Sequence, residues 1–405
     1  MSSRIGFLCA ALLLCSAAAF AQAPKPGTVG FRGKFYEATG LPEEVGAPAK
    51  AAVREWALWA KTHGYRLDLD PSRRILMIST KSNVDASLLL VTKTIALFDS
   101  LFPAAPKPAA PETAAPAAAA KTAAPTDGDV IPEDPETPPP GAPEVLPPEK
   151  NEVLEVTKQT SNFVPDSKTA VMLVIKNSAD YDSALAQLVA ARSYLGPWKS
   201  TATTQIGFAL EDPLCGAYNE NSPGQEEWNP DNELVHRVMA LLVLRRFSEQ
   251  PYWLYTGLCW FGELSITKSI YCMPYRDSFV GIGEHGGWLA ALNSLYSGRA
   301  KLPLEMQEFK LVRGKWDDRL AKTSLGMVDF MCKQNPRALS GLMEELRRYR
   351  DLHGRQTDAD GTWTKILDYE VPGDQQKILL ERYYGATVLR DAISYWTSGA
   401  IAPAK

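Results

Sequence analysis

The stretch Asp231-Asn232-Glu233-Leu234-Val235-His236-Arg237-Val238-Met239-Ala240-Leu241-Leu242-Val243-Leu244-Arg245-Arg246-Phe247 decides the fold. Wound as a helix, it carries Leu234, Val235, Val238, Met239, Leu241, Leu242, Val243 and Leu244 on almost every side. A helix that is apolar all round has to be surrounded by other elements. Glu233 and His236 are the polar exceptions near its first turn. Asp231 or Asn232 suits the capping position, with Glu233 close to the positive end of the helix dipole. Taken alone, His236 reads as a hydrogen-bonded core histidine.

The segments on either side fit a helical core. Apolar residues recur at helical spacing over 252–264, 288–297, 320–333, 336–352, 374–384 and 386–397. Before the central helix, 170–176 (Ala-Val-Met-Leu-Val-Ile-Lys) and 204–210 read as buried strands, with a helix over 181–194 between them. Further upstream, residues 47–63 read as a helix closed by Gly64, 65–70 and 74–80 as two strands around Pro71-Ser72, and 84–102 as a second helix. The expected class is α+β, a small β-sheet lead-in followed by a mostly helical core.

Residues 103–150 are rich in proline and alanine and carry Asp127, Asp129, Glu133, Asp134 and Glu136. Such a composition buries too little apolar surface to offset its ordering entropy and reads as a disordered linker. At the start, Arg4, the apolar run 5–18 and Ala19-Phe20-Ala21 have the form of a secretory signal cleaved before Gln22. The expected division is therefore a signal over 1–21, an N-terminal α+β unit over 22–102, a linker over 103–150 and the main domain over 151–400. The protein is expected to be secreted or periplasmic, with no transmembrane span. Its 43 basic and 47 acidic residues favour solubility and argue against nucleic-acid binding, which calls for a basic face.

Removal of the signal takes Cys9 and Cys15 with it and leaves Cys215, Cys259, Cys272 and Cys332. An even number in an oxidising compartment suggests disulfides. Three pairings are open, and Cys259 with Cys272, which flank a short loop, is the expected one.

The chemistry concentrates at Asn232-Glu233-Leu234-Val235-His236, one residue away from H-E-x-x-H. In that motif two histidines at i and i+4 share a helix face and bind zinc, with the glutamate as general base. A few residues on comes Pro251-Tyr252-Trp253-Leu254-Tyr255-Thr256-Gly257-Leu258-Cys259-Trp260-Phe261-Gly262-Glu263. Together the two segments resemble the core of gluzincin metallopeptidases, in particular the peptidase MA-like group of exported bacterial proteins. Their pattern is H-E-x-x-H followed by P-x-W-L-x-E-G-L-A-x-Y. The resemblance extends in weaker form over residues 65–102 and 165–400. It implies that Asn232 stands at the first ligand position, Glu233 at the general base, His236 at the second ligand and Thr256 at the third.

The departures from that pattern matter more than the matches. A catalytic zinc needs three protein ligands and one open position for water. Only His236 survives here: Asn232 offers a neutral amide oxygen, and Thr256 a short hydroxyl where a carboxylate should reach across. Without zinc, no water is brought toward neutral pKa for Glu233 to deprotonate. Glu263, two turns beyond Thr256 and so about 10 Å along the axis, is expected to lie too far away to substitute. Glu284 or His285, in the Gly-rich turn 281–286, could complete a rebuilt site with Glu233 and His236. That turn also satisfies G-x-G-x-x-G, but no βαβ unit supports a nucleotide loop.

The resulting expectation is a non-catalytic metallopeptidase homologue with a binding or scaffolding role in the cell envelope. Its former cleft would hold a peptide or protein ligand, with no cofactor expected. The alternative is an active hydrolase with a rebuilt metal site, in which case zinc is the cofactor. A purely structural envelope protein is the third reading.

Overall fold

The computed structural model describes residues 25–80, 84–103, 163–221, 229–276, 278–279, 287–297, 316–357, 363–366 and 369–398. The first half comprises β1 (Val29–Phe31), β2 (Lys34–Tyr36), α1 (Ala47–His63), β3 (Arg66–Leu69), β4 (Ile75–Ser79) and α2 (Val84–Leu101). There follow β5 (Ala170–Ile175), α3 (Ser178–Ala191), α4 (Gly196–Thr203), β6 (Gly207–Leu210), β7 (Cys215–Asn219), α5 (Pro230–Phe247) and α6 (Tyr252–Thr267). The remainder is β8 (Cys272–Met273), β9 (Ser278–Phe279), α7 (Trp288–Ser297), α8 (Asp318–Gln334), α9 (Pro336–His353), β10 (Arg355–Thr357), β11 (Trp363–Lys365), α10 (Gly373–Tyr384) and α11 (Val388–Thr397). The class is α+β, as expected. The signal and linker segments and the turn 281–286 lie outside the described residues.

Seven strands form one mixed sheet in the order β2-β1-β3-β4-β5-β7-β6. Strand β4 pairs in parallel with β5, Ile75 opposite Ala170 and Leu76 opposite Val171. The residues before and after the proline-rich stretch therefore share a sheet. The lead-in is the near half of a larger sheet, not a small sheet of its own.

Strand alternation sends side chains to two cores. Ile75, Met77, Ala170, Met172 and Val174 join the core built with α2 and α5. Leu76, Ile78, Val171, Leu173 and Ile175 join the one built with α1 and α3. A sheet covered on both faces needs apolar residues at every position, which is why β4 and β5 read as unbroken apolar runs. On the outer face α1 starts with a proline in its first turn and ends at Gly64, whose φ of 77° needs no Cβ penalty.

Helix α5 is buried along nearly its whole length, including Asn232, Glu233 and His236. Its cap is Asn229, whose side chain accepts from the Asp231 amide, so neither Asp231 nor Asn232 does that work. Helices α6 and α8 pack closely where Gly257 meets Ser324 and Val328. Trp253 and Trp260 are core residues, their indole N–H groups donating to Gln376 Oε1 at 2.8 Å and to the Cys272 carbonyl at 2.7 Å.

The expected Cys259–Cys272 disulfide is not formed. Cys215, Cys259, Cys272 and Cys332 are all buried free thiols. Cys259 sits midway along α6, while the Cys272 thiol donates to Glu233 Oε2 at 2.8 Å. Closeness in sequence does not align two sulfurs when a helix carries one of them away from the loop. Among the described residues, no helix is long and apolar enough to cross a membrane.

Candidate functional site

The polar residues of the first turns of α5 face the far end of α6 and the start of β8. Helices α5 and α6 are joined by four residues and run back along one another. His236 lies eleven residues before the end of α5, and Glu263 eleven residues after the start of α6. The two therefore meet, and His236 Nδ1 stands 2.7 Å from Glu263 Oε1. This corrects the expectation that Glu263 is out of reach. It is two turns from Thr256, but the reversal of direction places Glu263, not Thr256, beside the histidine.

Asn232 is fully buried and its amide is fully engaged. Nδ2 donates to Glu263 Oε2 and to the Ser269 carbonyl, each at 2.8 Å, and Oδ1 accepts from Ser269 Oγ at 3.2 Å. Glu263 Oε2 also accepts the Tyr271 amide at 2.9 Å and the Cys272 amide at 3.4 Å. Glu233 is divided between two donors, Arg237 Nε to Oε1 at 2.6 Å and the Cys272 thiol to Oε2. Among the described residues, His236 makes its hydrogen bonds through Nδ1 alone.

Burial sets the charges. It pushes the Glu263 carboxyl up to about 8, against the lowering pull of the Tyr271 amide and Asn232. It pushes the His236 imidazole down to about 3, helped by the charge of Arg237. At neutral pH the pair is thus a neutral imidazole facing a carboxyl that keeps its proton. The proton lies on the Nδ1–Oε1 contact, and Oε2 accepts from the three N–H donors of Asn232, Tyr271 and Cys272. Burial also works to raise Glu233, but the charge of Arg237 and the hydrogen bonds from Arg237 and the Cys272 thiol outweigh it and hold the carboxylate below its ordinary value. Burial and the two carboxylates drive the Cys272 thiol well above its usual value. Arg237 goes up despite burial because Glu233 faces it.

The zinc implied by the motif does not fit the residues at its expected ligand positions. The Asn232 amide oxygen accepts from Ser269 Oγ, and its orientation is fixed by the nitrogen's bonds to Glu263 and the Ser269 carbonyl. Thr256 is completely buried, its Oγ1 has no hydrogen-bond partner, and it is not part of the polar cluster. The grouping that could hold a metal is a different one: ligand atoms of His236, Glu263 and Cys272 all lie within 4.8 Å of one another. Of the sequence candidates, the fold gathers Asn232, Glu233 and His236, leaves Thr256 apart, and brings Cys272 in as a thiol. Glu284 and His285 lie outside the described residues.

Two members of the cluster carried usable signals in the sequence. Arg237 follows Glu233 by four residues, the spacing of a helical ion pair. Counting outward from the short α5–α6 connection would have matched Glu263 to His236. No family model matches the chain, and no curated protein matches it.

Proposed function

We propose that this is an exported, non-catalytic relative of the gluzincin metallopeptidases, acting by binding or scaffolding in the cell envelope. The observation that carries the reading is the state of Glu233. A general base needs a free carboxylate facing a polarised water. Here one carboxylate oxygen takes the Arg237 guanidinium and the other the Cys272 thiol. The residue at the first ligand position is also spent, on Glu263 and Ser269. A peptide or protein ligand in the former cleft is part of this proposal, and the export rests on the leader-like first residues.

The alternative, a metal-dependent hydrolase with a rebuilt site, draws on the grouping of His236, Glu263 and Cys272. In it Glu233 would lose the Cys272 thiol proton but would still be held by the Arg237 guanidinium. The deciding experiment is turnover of a quenched-fluorescence peptide library by the full chain with added zinc. The expected result is a rate no higher than that of the Glu233→Gln variant. Cleavage by the wild type that disappears in Glu233→Gln would overturn the non-catalytic reading.

A further inference from the structure

We infer that His236, Glu263 and Cys272 form a buried, structural site for a zinc-class divalent metal, with a ligand set different from that of the H-E-x-x-H motif. Three observations support it. The first is convergence. An imidazole from α5, a carboxylate from α6 and a thiol from β8 bring their ligand atoms within 4.8 Å of one another, the one such grouping among the described residues. Tetrahedral zinc has bonds of about 2.0–2.3 Å, which puts its ligand atoms roughly 3.3–3.8 Å apart. The 2.7 Å contact between His236 and Glu263 has only to open by about half an ångström and the thiol to close by about one.

The second observation is donor type. Nitrogen, oxygen and sulfur together make a borderline-soft set, which suits zinc or cobalt and not magnesium or calcium.

The third is burial and charge. His236 is 2% exposed, Glu263 0% and Cys272 2%. Two carboxylates, Glu233 and Glu263, are enclosed with a single guanidinium, Arg237. A divalent cation that displaces the Glu263 and Cys272 protons would, together with Arg237, be balanced by the two carboxylates and the thiolate, leaving no net buried charge. Glu233, whose Oε2 lies against the Cys272 sulfur, supplies the nearest further oxygen. Enclosed in this way the metal would clip β8 to the α5–α6 pair. Its role would be to hold structure, not to activate water.

Metal binding would take the thiol proton that Glu233 Oε2 accepts and leave Glu233 held by Arg237, so the site and the non-catalytic reading share Cys272 but are tested separately. Turnover would sink that reading and leave the site standing, and a missing metal would do the reverse. The test is to load the reduced full-length protein with zinc or with cobalt(II) and pass it through gel filtration. We expect about one retained equivalent of zinc and, with cobalt, a thiolate-to-metal charge-transfer band. That band disappears in Cys272→Ser, and Glu263→Gln binds more than about tenfold more weakly. Should Cys272→Ser fail to fold, persistence of the band in each of Cys9→Ser, Cys15→Ser, Cys215→Ser, Cys259→Ser and Cys332→Ser assigns it to Cys272. Absence of the band in loaded wild type, or its survival in folded Cys272→Ser, overturns the site.

Discussion

At the scale of single residues the chain keeps two buried polar groups in unfavourable states, and each makes a prediction. Thr256 is enclosed in α6 with its hydroxyl unpaired. Such a group loses its hydration and gains nothing in return. Thr256→Val keeps the shape and removes the hydroxyl, so it should raise the unfolding free energy by about 1 kcal/mol, read from urea midpoints. Asp68 is the second case. It sits opposite Gly30 in the β1–β3 pairing, and a Cβ on Gly30 would come within 2.2 Å of its Oδ1. Arg66 donates twice to Oδ1, while Oδ2 has no partner. Burial, only partly offset by Arg66, raises this carboxyl to about 6. A raised acid binds its proton more tightly when folded, so its contribution is fully present below pH 4 and is lost as pH rises toward 6. The wild type should lose on the order of 2–3 kcal/mol of stability over that window relative to Asp68→Asn. A difference between the two proteins that stays flat from pH 4 to 6 would refute the assignment.

At the scale of elements, what could be read from the sequence follows packing. Helix α5 was legible because burial on all sides leaves an unbroken apolar signature, and β4 and β5 because both their faces are covered. Strand β7, Cys-Gly-Ala-Tyr-Asn, was not. It lacks the β-branched residues that mark a strand, and it is held by its neighbours β5 and β6. The three-residue β1 and β2 are too short to show alternation. The site was half legible for a related reason. Spacing within one helix exposed Asn232, Glu233 and His236, but the partners that decide their chemistry come from elements whose relative direction had first to be worked out. The meeting of α6 and α8 gives an element-level prediction. A Cβ on Gly257 would lie 2.7 Å from Val328 Cγ2 and 2.9 Å from Ser324 Oγ, and Ser324 Oγ is itself bonded to the Trp253 carbonyl. Neither helix can yield easily, so Gly257→Ala should cost about 1–3 kcal/mol by overpacking. Gly262 is the control. Its added Cβ would meet Met239 Cε at 3.0 Å, the far end of a flexible side chain that can move aside. Thermal unfolding of both variants should therefore show a clearly larger drop for Gly257→Ala, and equal drops would mean that the α6–α8 contact is looser than described.

At the scale of the molecule, the order of strands has a consequence that composition hides. The sequence reads as two units joined by a linker, yet the sheet runs straight across that division through the parallel pairing of β4 with β5. Apolar residues of β4 belong to both cores, Ile75 and Met77 to one and Leu76 and Ile78 to the other. Separating the units would expose a central strand edge and two apolar faces together. Side-chain contacts reinforce the join: Thr169 Oγ1 donates to the Arg73 carbonyl at 2.9 Å and Arg246 Nη2 to the Pro103 carbonyl at 3.0 Å, both across the division. A specific protease site placed between residues 104 and 162 provides the test. After complete cutting, the two halves should still elute together from gel filtration and unfold in one transition, because the sheet and not the peptide connection holds them. Expressed separately, each half should aggregate or fail to show a cooperative transition. Two halves that part on cutting and each unfold cooperatively would show that they are separate domains and that the β4–β5 pairing does not form.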